Sequence, residues 1–386
     1  MINVQAAPYN AAGDGVADDT AAIQAALDAD GWSYLPDGVY RLESMLRIPA
    51  RRRLTLAPGA RLLRGGPDPI LTNTPAAGGA GGHAGYGGLL IEGGTWDLNG
   101  VAQPAYSGAI AVAHATDVKI RDLTVLDTPG WHALEINGCK TVTIEDCTFA
   151  GFTHAGDRGF SEAIQLDAMT SSAAYPWGGP YDGTVCDDIT VERCWFGAAG
   201  TPGTQPWPRG VGSHNTAEPN RHTAIKILAC TFDQLADAAI QTYYWDGAVI
   251  GDNTIVSPAG EGIAVKDNSR YVTVQRNLVF DSGRSGIWIN TDCTQIAVRG
   301  NEVIGSGRAA HNTHYGIRCS ASCSYVRITG NTARRRAAGN HARYGLSIDS
   351  TCSGIQRYGN DLRSSGATGS LQDLSPSPVT AATDAA

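Results

Sequence analysis

Apolar and polar residues alternate along this chain in short bursts, and Gly, Asn or Asp interrupts them every few positions. That is the period-two pattern of short β-strands. One pattern recurs: a small residue, an aliphatic, a variable residue, a second mostly aliphatic residue and a polar one. It reads Ala133-Leu134-Glu135-Ile136-Asn137, then Ala163-Ile164-Gln165-Leu166-Asp167, Gly210-Val211-Gly212-Ser213-His214 and Ala239-Ile240-Gln241-Thr242-Tyr243. It continues through Gly262-Ile263-Ala264-Val265-Lys266, Gly286-Ile287-Trp288-Ile289-Asn290, Gly316-Ile317-Arg318-Cys319 and Gly345-Leu346-Ser347-Ile348-Asp349. The aliphatics are predicted to point inward and the variable residues outward. One such strand per turn stacks equivalent residues about 4.8 Å apart.

A second column runs beside the first. Asn253, Asn277, Asn301, Asn331 and Asn360 each follow a strand-like run, at spacings of 24, 24, 30 and 29 residues. In the same register, Cys147, Cys194 and Cys230 take the place of Asn. This predicts a ladder of inward amides bonded from coil to coil, continued by stacked buried thiols. Repeats at this period indicate a solenoid, in which each unit buries its apolar face only against its neighbours. The predicted fold is all-β: a single-stranded right-handed parallel β-helix with a short N-terminal capping α-helix. Residues 1–45 form the cap, 46–365 the β-helix, and 366–386, rich in Ser, Pro, Ala and Thr, a flexible tail.

Composition narrows the function. Glycine supplies 48 of 386 residues, which suits many tight turns. A net charge of −8 excludes the basic face that a nucleic-acid partner demands. The run Arg334-Arg335-Arg336 reads as a solvated turn. No apolar stretch reaches the ~18 residues of a membrane span, so no membrane insertion is expected. The opening Met-Ile-Asn-Val-Gln carries no basic-then-apolar signal. The expectation is an extracellular or virion-associated protein whose signal was removed or which leaves its cell by lysis. Of nine cysteines only Cys319 and Cys323 are closely spaced, a weak metal signal, and neither metal nor cofactor is predicted.

The N-terminal segments "NAAGDGVADDTAAIQAALDAD" and "YLPDGVYRL" resemble the opening cap of the pectate-lyase-like β-helix superfamily. That group includes polygalacturonase-like hydrolases, polysaccharide lyases and phage tailspike depolymerases. The resemblance implies that Asp18-Asp19-Thr20 starts a helix running to Leu27 over the open end of the solenoid. It implies a polysaccharide or oligosaccharide as substrate, and either a phage-type homotrimer or a lone secreted enzyme. The segment from Ser161 to Asp167 lies where polygalacturonase-like enzymes carry their first catalytic Asp, which makes Asp167 the leading candidate. The Asn-Thr-Asp, Asp-Asp, Gly-His-Gly and Arg-Ile-Lys signatures of those enzymes are absent as such. Asp187-Asp188 precedes a strand and belongs in a turn.

The outward column is rich in functional groups over the coils that two long loops interrupt, residues 170–186 and 197–222. Glu135, Gln165, Asp167, His214, Gln241, Tyr243 and Lys266 fall there, with Glu162, Arg209 and Glu261 at strand entrances. Carboxylates on adjacent coils can divide the roles of proton donor and base or nucleophile in glycoside hydrolysis. Asp167, Glu135, Glu162 and His214 are therefore the candidate catalytic residues. Gln165, Arg209, Gln241, Tyr243, Lys266 and the loop residues Trp177 and Trp207 are candidates for binding substrate. Tyr175 and Tyr181 are further candidates for stacking on sugar rings. His222 reads as a structural turn residue. A metal set of Asp167, His214 and Glu218 has no diagnostic spacing. The alternatives are a polysaccharide lyase, with His214, Tyr243 or Lys266 abstracting a uronate proton, and a non-catalytic glycan-binding spike.

Overall fold

In the computed structural model, residues 1–29, 31–154, 156–216, 220–376 and 379–380 are described. The chain divides into two compact units, one of residues 1–208 and 215–222, the other of residues 209–214 and 223–386. Each is built from three parallel sheets, to which every complete coil contributes one short strand apiece.

In the first unit, the third sheet carries the candidate residues. It runs from Leu46–Arg47 through Leu71–Thr72, Ile110–Ala113 and Leu134–Asn137 to Glu162–Asp167. Its register is the one read from the sequence: Leu134 pairs with Ile164, Glu135 with Gln165, and Asn137 with Asp167. The inward residues Leu134, Ile136, Ile164 and Leu166 are fully buried.

Capping of the helix Thr20–Asp28 differs in detail from expectation. Asp18 makes the capping contact, accepting the Thr20 backbone N–H at 3.0 Å. Asp19 instead turns inward, where it is nearly buried and takes the N–H groups of Ala12 and Gly13 at 2.5 and 3.1 Å. Its carboxylate therefore organises the turn beneath the helix.

In the second unit, the third sheet runs from Arg209–Gly212 through Ile240–Gln241, Ile263–Val265, Ile287–Ile289 and Tyr315–Cys319 to Tyr344–Ile348. Ile240, Ile263, Ile287, Ile317 and Leu346 stack in one column, as the repeat predicts. Within the expected tail of residues 366–386, residues 377–378 and 381–386 lie outside the described residues, and residues 369–373 depart from a flexible tail. Gly369–Asp373 adds a further strand, pairing Leu371 with Leu346, because the sheet edge at Tyr344–Ile348 offers unpaired backbone groups.

The asparagine ladder is present. Nδ2 of Asn253 donates to Oδ1 of Asn277, that of Asn277 to Asn301, that of Asn301 to Asn331 and that of Asn331 to Asn360, each at 2.9 Å. The same oxygens accept backbone N–H groups from the preceding rung. Every cysteine is buried and free of disulfide bonding, and the Cys319 thiol donates to Cys352 Sγ at 3.7 Å. Thr148 pairs with Trp195, so Cys147 and Cys194 occupy one column in the first unit.

Candidate functional site

Glu135, Glu162 and Asp167 do not stand bare on the sheet. They are 1%, 0% and 0% exposed. The 170–186 loop crosses this sheet and anchors there through Tyr175, whose hydroxyl lies 2.9 and 3.2 Å from those of Thr72 and Thr74 and donates to the Ala111 carbonyl at 3.1 Å. Tyr175 is thus a buried anchor and has no free ring face for a sugar. Half-buried Trp177 extends from the same loop, edge-on to Trp131 at 6.3 Å and to Tyr175 at 5.3 Å.

Each carboxyl is held differently. The Trp131 indole N–H donates to Glu135 Oε1. On Asp167, Gln165 Nε2 donates to Oδ2, and the backbone N–H of Asn215 donates to Oδ1 at 3.1 Å. Glu162 Oε2 lies 3.7 Å from Nδ1 of buried His132, which is also 2.9 Å from the Glu162 carbonyl oxygen. Arg158 lies over the rings of Trp131 and Phe160, each at 4.5 Å, and donates to the Gly130 carbonyl at 2.6 Å. Burial lowers the pKa of its guanidinium, and Asp157 first, then Tyr106, Glu162 and Glu135, act in the opposite sense. The sequence reading missed Trp131, His132 and Arg158. The first two stand immediately before the Ala133 column, which was the available signal. Arg158 lies in a connection with no repeat register.

His222 is structural, as expected. Its Nδ1 accepts the Cys186 N–H at 3.2 Å, so its Nε2–H donates to the Asn215 carbonyl at 3.1 Å. Burial drives its pKa down to about 4, leaving the ring neutral. Trp207 corrects an expectation. It is fully buried, its ring 5.0 Å from Phe152, and it anchors its own loop without facing a ligand.

Arg209, His214, Gln241, Tyr243 and Lys266 belong to the second unit. His214 is exposed and Gln241 nearly buried. Tyr243 is half-buried, with its ring 5.0 Å from that of Tyr244. Arg209 is committed to Asp237 at 2.9 Å. Arg284 reaches both Asp237 and Glu261 at 3.5 Å. Burial pushes the Glu261 carboxyl up, opposed by Arg284 and reinforced by Asp237. Among the described residues no group of three or more His, Cys, Asp or Glu is arranged to hold a metal ion. Glu218 lies outside the described residues. No helix among them is long and apolar enough to cross a membrane.

Known proteins share this architecture. The plasmin and fibronectin-binding protein A of Streptococcus pneumoniae (strain ATCC BAA-255 / R6) is 26% identical over 291 residues, 67% of this chain and 40% of that protein. The mannuronan C5-epimerase AlgE2 of Azotobacter vinelandii is 25% identical over 287 residues, 71% of this chain and 24% of the enzyme. The chain thus spans well under half the length of either relative. The crystal structure of PfbA, a surface adhesin of Streptococcus pneumoniae, superposes with a TM-score of 0.77 at 19% identity, covering 96% of this chain and 91% of that one, which shows a common fold. The model of the right-handed β-helix region matches residues 108–303 and 210–362, the same coils whose registers are described above. With that match over most of its length, the chain belongs to the right-handed β-helix family.

Proposed function

We propose that the protein is a carbohydrate-active enzyme, a glycoside hydrolase that uses Asp167 together with Glu135 or Glu162. One observation carries this reading: carboxyls from adjacent coils occupy fixed diagonal register and are held by different donors, Trp131 on Glu135, and Gln165 with the Asn215 backbone on Asp167. Glycoside hydrolysis needs two positioned carboxyls in different environments, one to give a proton and one to stay ionised. Arg158, Trp131 and Trp177 supply the aromatic and cationic surroundings that suit a sugar hydroxyl or ring face. Substrate would enter by displacing part of the 170–186 loop.

The burial of all three carboxyls favours a second reading, glycan binding without cleavage. The likeness to a surface adhesin agrees with it. Both readings place the protein outside the cell or on a virion, and a homotrimer in solution fits the virion case.

Digestion of a glycan panel by the wild type and Asp167→Asn, with mass spectrometry and ultraviolet absorbance of products, decides between them. Saturated fragments from the wild type alone establish the hydrolase. Unsaturated fragments indicate a lyase instead, acting through His214, Tyr243 or Lys266. Retention of glycans by the wild type without any product establishes binding alone.

A further inference from the structure

In the second unit, three consecutive coils of the third sheet place Ala264, Trp288 and Arg318 in register. Trp288 is half-buried and fixed, its indole N–H donating to Ser320 Oγ at 2.9 Å. A cation approaches its ring from each neighbouring coil: Lys266 Nζ at 6.0 Å and the Arg318 guanidinium at 5.7 Å from the centroid. Arg318 also lies over the Tyr315 ring at 4.8 Å. Lys266 has a carboxylate neighbour, Asp267, at 3.6 Å. Arg318 differs, for among the described residues it forms no ion pair and no hydrogen bond.

An arginine lying over two aromatic rings, its five N–H donors unused by any described residue, is prearranged for a planar anion. The nearby Arg284 is already engaged by Asp237 and Glu261. The aromatic platform beside Arg318 fits the C–H face of a pyranose, while the guanidinium fits its acidic substituent in bidentate fashion. We infer that Trp288, Arg318 and Lys266 form a subsite for an anionic sugar, a residue bearing a carboxylate or a sulfate. This rests on the reading of the protein as glycan-binding and names the chemical class of glycan.

The test is calorimetric titration of Asp167→Asn, chosen so that turnover does not mask binding, and of the same chain carrying Arg318→Met. The probes are mannuronate, guluronate, galacturonate and glucuronate oligosaccharides, each beside its carboxyl-reduced form, together with sulfated and neutral oligosaccharides. An acidic oligosaccharide is expected to bind, to weaken at least about tenfold on carboxyl reduction or desulfation, and to weaken by about the same factor with Arg318→Met. The reduced form should be indifferent to that substitution. Arg318→Lys, retaining charge without the fork, should recover only part of the loss, and unchanged near-ultraviolet circular dichroism of both variants shows the fold intact. Binding of neutral glycans with no preference for acidic ones overturns the subsite and leaves the glycan-binding reading standing. Absence of binding to every probe overturns both.

Discussion

Asp167 Oδ1 accepts the backbone N–H of Asn215, 48 residues further along the chain, at 3.1 Å. Asn215 is itself fixed from three directions. Its Nδ2 donates to Thr170 Oγ1 at 2.5 Å and to the Ala168 carbonyl at 3.3 Å, and its own carbonyl takes the Nε2–H of His222. The candidate nucleophile or base is thereby oriented by main chain that a buried neutral histidine holds in place. An amide oxygen can replace the carboxylate as acceptor of that N–H, and a flip of the Gln165 amide lets its Oε1 accept from the new NH2 in place of the Gln165 Nε2 bond to Oδ2. Asp167→Asn should therefore unfold within a few degrees of the wild type while losing about 10³-fold in cleavage rate. Scanning calorimetry and a reducing-end assay check the two halves separately.

His222 makes stability depend on pH. Its folded-state pKa of about 4 lies below the ordinary 6.5, so the unfolded chain binds the proton more readily. The stabilisation is complete above pH 6.5 and is lost as pH falls from 6.5 towards 4, by about 3 kcal/mol in all. Urea unfolding at pH 7, 5.5 and 4.5 should show that decline. The decline should be shallower in His222→Gln, and equal slopes in both proteins would remove His222 as its source.

The asparagine ladder should be costly to interrupt. Asn301 accepts the N–H of Asn277 at 3.0 Å and the Asn277 amide at 2.9 Å, and donates to the Val274 carbonyl at 2.9 Å. Replacing it with Ala strands several buried polar groups at once, and about 3 kcal/mol or more of stability should be lost. Equilibrium urea unfolding measures this, and a loss below about 1 kcal/mol would show that water takes over the missing contacts.

All nine cysteines should be silent towards a thiol reagent in the folded protein and titrate together on denaturation. Burial pushes Cys186 up to about 12, and contact with Cys194 together with burial raises Cys147 well above its ordinary value. Thiolate is the reactive form, so both protonation and inaccessibility protect these groups. Stopped-flow labelling in native buffer, compared with the same measurement in guanidinium, is the check.

The inward columns, Leu134 with Ile164 in the first unit and Ile240 to Leu346 in the second, were legible in the sequence because inward aliphatics and small corner residues recur with the coil. The Asn and Cys columns were legible for the same reason. Whether a residue of the outward column meets solvent was not legible. That depends on where an irregular loop lies, and nothing in "TSSAAYPWGGPYDGTVC" says that Tyr175 will dock on Thr72 and Thr74, about a hundred residues back. Trp207 was misread for a related reason: a loop tryptophan looks the same in sequence whether it faces a ligand or Phe152. Trp288 and Arg318 stood in the recognised column, yet only their joint placement around one ring distinguishes them from other outward residues.

The ladder also sets the grammar by which such a chain can change length. Its rungs at Asn277 and Asn301 are 24 residues apart, whereas those at Asn301 and Asn331 are 30 apart, yet the amide contact is 2.9 Å in both cases. The additional residues all fall between the strands Glu302–Ile304 and Tyr315–Cys319, at one corner of the coil. Insertions are thus absorbed at corners, where they build walls and loops, while the stack advances only by whole turns. A lineage could lengthen its ligand-binding face one complete coil at a time without disturbing any existing rung.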